Sequence, residues 1–132
     1  TAQLGELAAL TRQRQGVVLP VTQVDARVVV GPVCARPGPC PLCVRLYLLD
    51  RDPNWPVVEQ RAPLSVQGDP VPAAAGAAFA AVALRRLAGA PDPPGVSAPK
   101  PDAGVLTVVD PFAPTPVSTA TLPPHPDCAM CF

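Results

Sequence analysis

Charge of either sign is scarce in this sequence, and what there is cancels. Ten basic and ten acidic residues stand among 132, for a formal net charge of zero. That removes the basic footprint by which proteins hold nucleic acid or an anionic membrane, so neither is expected as a partner. Long hydrophobic runs are lacking too. The longest, "VPAAAGAAFAAVAL", is too short and too alanine-rich to span a bilayer. No charged-then-apolar signal peptide opens the chain. The first residue is Thr1 rather than methionine, which reads as a processed chain or a piece cut from something longer. There is no glycine-rich phosphate loop: "AGAPDPPG" is broken by prolines and does not open a helix after a strand. Histidine occurs once, as His125, with no serine or cysteine partner in a recognisable catalytic arrangement. No residue is assigned a catalytic role.

What is present is apolar and rich in proline. Apolar residues make up 48% of the chain, enough for a modest core, and the length suits a single domain over 1–132. Proline (21) and glycine (9) together supply 30 of 132 residues with no repeat period, which predicts rigid loops and few long elements. Residues 1–13 place Leu4, Leu7, Ala8 and Leu10 at helical spacing, with Thr1 as an N-cap. Two β-rich runs around Asp25-Ala26 predict strands over 17–23 and 27–34. "CVRLYLLDRD" reads as a short helix stopped by Pro53, and 52–71, with "DPNWP", as loop, Trp55 anchoring it by packing. The alanine-rich stretch from Pro72 to Leu87 is the best helix, with Phe79, Val82 and Leu84 for bulk and Arg85 and Arg86 at its negative end. A proline-rich loop over 89–103 precedes a strand in "GVLTVVD" and a weaker one in "PVSTATL". The acidic pair in "LLDRDPNW", Asp50 and Asp52 about Arg51, reads as a solvated helix end rather than a polar site.

Four of the five cysteines form two Cys-x-x-Cys pairs, Cys40 with Cys43 and Cys128 with Cys131. Zinc takes four tetrahedral soft ligands, and two such knuckles supply them at the usual spacing. Flanking prolines in "PGPCPLC" and "PPHPDC" stiffen both knuckles and lower the entropy lost on binding. With 84 residues between Cys43 and Cys128, the ion would staple the C-terminus back onto the domain. Two disulfides would suit a secreted protein but leave one cysteine over, and a redox Cys-x-x-Cys usually occurs once. A structural zinc on Cys40, Cys43, Cys128 and Cys131 is the favoured reading. Cys34, in a strand, reads as a small buried hydrophobe, and His125 as a turn residue rather than a replacement ligand.

The run "LPVTQVDARVVVGPVCARPGPCPLCVRLYLLDRDPNWP", followed later by "PPHPDCAMC", resembles the C-terminal half of a ThiF-like protein, a relative of the ubiquitin-activating enzymes. The subgroup it resembles partners YcaO enzymes in making thiazole- and oxazole-modified peptides. The likeness covers most of 17–62 and 104–131. It implies an incomplete ThiF-like domain of mixed α/β class, with short strands and two or three helices. It implies zinc on Cys40, Cys43, Cys128 and Cys131, a cytoplasmic location, and a homodimer as many ThiF-like proteins form. The family's glycine-rich ATP-binding half and its leader-peptide-binding winged-helix element find no match here. The resemblance therefore implies a scaffold that helps present a precursor peptide to a YcaO-type cyclodehydratase. Two other readings stay open: part of an ATP-dependent adenylating enzyme, or a free-standing zinc module that binds an unrelated protein.

Overall fold

The computed structural model describes residues 2–13, 15–61 and 69–132. The Thr1 cap and part of the loop expected over 52–71 lie outside those residues. Among the described residues there are four helices and four strands: α1 (Ala2–Gln13), β1 (Val21–Val24), β2 (Arg27–Val30), α2 (Pro41–Arg51), α3 (Trp55–Arg61), α4 (Pro70–Leu87), β3 (Val105–Val109) and β4 (Val117–Thr121). The class is mixed α/β, as expected. The sheet is an antiparallel meander in the order β1-β2-β3-β4. No helix among the described residues is long and apolar enough to cross a membrane.

The hairpin of β1 and β2 turns at Asp25-Ala26, with Asp25 at φ 54, a conformation aspartate tolerates at turns. Both strands are shorter than the runs over 17–23 and 27–34. Pairing is in register from Val24↔Arg27 to Val21↔Val30 and resumes at Val18↔Cys34. Between those last two pairs, three steps along one strand face four along the other, so the ladder carries a bulge. Its cause is local: Pro20 and Pro32 cannot donate to a ladder, and Gly31 takes φ 102. The Gly31 N–H still reaches Pro20 O at 2.8 Å. Past the bulge the chain runs through Cys34 into the first cysteine knuckle.

Helix α4 covers one face of β2 and β3. It begins two residues before the expected Pro72, because Asp69 accepts a hydrogen bond from the Val71 N–H and Pro70 and Pro72 fit the first turn. Gly89, at φ 79, closes its other end, and Arg86 pairs with Asp92 at 3.3 Å. Pro72, Gly76 and Ala80 line the buried stripe at spacing four and let the helix approach Val28 and Val30 closely. Val28 pairs with the buried Val109 across the ladder. Phe79, Val82 and Leu84, read as packing bulk, are largely exposed instead. Small residues make the contact, and the large ones lie off the stripe.

The main departure from the sequence reading is α3, which occupies part of the region read as loop. Asp52 accepts a hydrogen bond from the Asn54 N–H and turns the chain, and Asn54 O then takes the Val57 and Val58 N–H groups. Pro56 sits in the first helical turn, where its missing N–H costs nothing. Trp55 is half-buried at the start of this helix, its Nε1–H donating to Glu59 at 2.8 Å.

A second small core lies beyond the sheet, where Ala8 of α1 meets Cys40, Cys43 and Cys128, with Leu42, Leu46 and Tyr47 of α2 around them. Among the described residues no buried apolar side chain is larger than valine. Gly76 tests the tightness of the sheet core, since a Cβ there would fall 2.5 Å from Val28 Cβ and Cγ1. Gly76→Ala is expected to lower stability by about 1–3 kcal/mol through overpacking, outweighing the propensity gain of about 1 kcal/mol. Gly5 in α1 meets nothing within 4 Å, so Gly5→Ala should raise stability by about 0.5–1 kcal/mol. Urea unfolding of both variants checks the opposite signs.

Candidate metal centre

The two knuckles, distant in sequence, converge. Cys40 caps α2 and Cys43 lies in its first turn, with Pro41 at the first helical position. Cys128 and Cys131 form a tight turn at the C-terminus, where the Cys131 and Phe132 N–H groups both reach Cys128 O at 3.2 Å. The sulfurs are 3.8 Å apart for Cys40–Cys43, 3.5 Å for Cys40–Cys128 and 3.3 Å for Cys43–Cys131. All four lie within 4.8 Å of one another and can hold a metal ion. A tetrahedral ion with metal–sulfur bonds of about 2.3 Å needs sulfurs about 3.8 Å apart, which this spread brackets. It lies well outside the ~2.05 Å of a disulfide bond.

Electrostatics agree with a cation-shaped site. Burial works against a charged Cys40, yet the Cys43 backbone N–H and the neighbouring sulfurs outweigh it and hold this thiol below its usual range. Cys128 is shifted the other way by burial and by Cys43. Cys131 is pushed well up by burial and then by the three sulfurs beside it. Four thiolates this close cannot all ionise without a positive charge among them. Cys34 stands apart, fully buried, with its thiol donating to Pro32 O at 3.4 Å. Burial, helped by Cys40 and Cys43, raises it to about 12. It is a buried thiol outside the cluster, as expected.

His125 is not a member of the sulfur cluster either, but it is more than a turn residue. Its Nδ1 accepts from the Asp127 N–H at 3.1 Å, which leaves Nε2 to donate to Asp50 at 2.6 Å. The ring packs edge-on against Tyr47, with centroids 4.8 Å apart, and the Tyr47 hydroxyl donates to Pro123 O at 2.7 Å. Cys128 N–H in turn donates to His125 O at 3.0 Å. Tyr47 and Asp50, three residues apart on α2, thus clamp the segment that delivers the terminal knuckle. Asp50 therefore has a structural partner where a solvated helix end was expected. Sequence separation hid it: 75 positions divide Asp50 from His125.

No protein-family model matches the sequence, and no curated protein matches it. Solved structures do. A heterocyclase in complex with substrate and cofactor is similar at 20% identity, with a TM-score of 0.67, covering 98% of this chain and 19% of that one. The heterocyclase TruD is similar at 20% identity and a TM-score of 0.65, covering 98% and 20%. E. coli MccB with ATP is similar at 14% identity and a TM-score of 0.58, covering 98% and 35%. This chain carries a segment of the ThiF-like fold. The likeness is one of fold, and the chain spans about a fifth of the heterocyclases' length and about a third of MccB's.

Two outcomes follow from this geometry. Metal binding must displace protons from Cys128 and Cys131, whose thiols sit above their usual range, so zinc affinity should rise with pH. Competition titrations with a chromophoric chelator at pH 6 and pH 8 measure this, and an affinity indifferent to pH would contradict it. His125→Ala removes a buried ring, its bond to Asp50 and its acceptor for Asp127, at a cost of roughly 1–3 kcal/mol. Hydrogen exchange should show the loss as faster opening of 123–128 with α4 unaffected.

Proposed function

We propose that the chain is a zinc-stapled, noncatalytic scaffold in the biosynthesis of ribosomally made, heterocycle-bearing peptides. It would help present a leader-bearing precursor to a YcaO-type, azoline-forming cyclodehydratase. The observation that carries this reading is the overlap of 98% of the chain with part of a heterocyclase that holds its substrate and cofactor. The cysteine cluster supports the structural role. Cys40, Cys43, Cys128 and Cys131 would fill all four positions of a tetrahedral zinc and leave none for water or substrate. The ion's contribution is folding energy: it joins α2 to the C-terminus and orders the surface between them. The precursor peptide is expected to engage mainly an element outside these 132 residues. A pair of copies, as a homodimer, would present two such surfaces.

Similarity to MccB with ATP favours a second reading, in which the chain is part of an ATP-dependent adenylating enzyme. It ranks second because the TM-score is lower, 0.58 against 0.67. Size-exclusion chromatography with a purified YcaO-type cyclodehydratase and its precursor peptide tests the first reading. The wild-type chain should co-elute and speed azoline formation, whereas Cys40→Ser and Cys131→Ser should lose zinc and co-elution together. A zinc-free variant that stays folded and still binds would contradict the scaffold reading. ATP binding by a longer chain that contains these residues would favour the second.

A further inference from the structure

The C-terminal half of α1 lies directly on the sulfur cluster. Ala8 and Thr11 are fully buried there, and Thr11 Oγ1–H donates to Ala8 O at 2.8 Å. One residue on, Arg12 Nη2 donates to Cys131 Sγ at 2.9 Å and also to Gly38 O, two residues before Cys40. One guanidinium thus touches both halves of the site, one at its sulfur and one at the loop that leads into it. Among the described residues it is the one cationic side chain that donates to a sulfur. Arg36, from that same loop, donates back to Arg12 O at 3.4 Å near the carbonyl end of α1. Cys131 is the least buried of the four cysteines, and Arg12 covers it.

We infer that Arg12 is the charge-balancing and positioning residue of the metal centre, and that through it α1 is seated on the two knuckles that the ion would join. The inference rests on the four-thiolate reading. Four thiolates about a divalent cation carry two net negative charges, and a buried net charge is costly unless compensated. The Arg12 guanidinium offsets one of them through a charge-assisted N–H···S bond, which also lowers the donor energy of that thiolate. Removing the ion would untie the two knuckles on which Ala8 and Arg12 rest, and with them the seat of α1.

Cobalt- and zinc-loaded full chains test this, using Arg12→Gln and Arg12→Lys beside the wild type. Arg12→Gln should lower metal affinity about 10–100-fold in chelator competition, the usual effect of removing a hydrogen-bonding partner of a ligand. Its sulfur-to-cobalt charge-transfer band should move to lower energy, and Arg12→Lys, which keeps the charge but not the fork, should fall between. A measurement on the wild type needs no variant to fold: chelation should abolish hydrogen-exchange protection in α1 while α4 keeps its own. Unchanged affinity and band in Arg12→Gln, or α1 protection indifferent to chelation, would overturn the inference while leaving the four-thiolate site intact. A wild type that takes up no metal would overturn both.

Discussion

The convergence of four sulfurs is the constraint on which the arrangement of this chain depends. Cys40 and Cys43 sit at the start of α2, where the first third of the chain ends, and Cys128 and Cys131 sit at the C-terminus. Bringing them within 4.8 Å closes a loop that contains α2, α3, α4, β3 and β4. The entropy of closing so long a loop must be repaid at the closure, and a divalent cation bound by four thiolates can do so. The clamp from Tyr47 and Asp50 to Pro123 and His125 is the supporting contact. It sets the direction from which the terminal knuckle arrives.

The need for such a closure is visible in the packing. Valine is the largest buried apolar residue among those described, and the three phenylalanines are exposed. The sheet core is a thin layer of Val28, Val30 and Val109 against the small-residue stripe of α4. The second core is built mostly of sulfur. The same thinness leaves apolar side chains such as Phe79 and Leu84 facing outward on α4.

Much of the site was legible in the sequence because its signals are local. Two Cys-x-x-Cys knuckles between prolines state their chemistry in a few residues each, and Cys34 stands apart from both. Helix α4 follows from alanine propensity, and the hairpin from β-branched runs around Asp25. What was not legible involves either context-dependent proline or distance. "DPNWP" has loop chemistry, yet Asp52 and Asn54 cap a helix there and Pro56 fits its first turn. The bulge at Gly31 shortens both strands of the hairpin, since prolines break the ladder only where the register places their missing N–H. Asp50 and His125, and Arg12 and Cys131, meet across 75 and 119 positions, and no local pattern encodes such pairs. Both contacts therefore came to light only with the fold.

Whether these four sulfurs hold one ion can be read from X-ray absorption at the zinc edge. One zinc per chain is expected, with a single shell of four sulfur scatterers at about 2.3 Å and no nitrogen or oxygen ligand. A mixed shell containing a histidine nitrogen or water, or protein whose cysteines are paired as disulfides with no zinc bound, would contradict it.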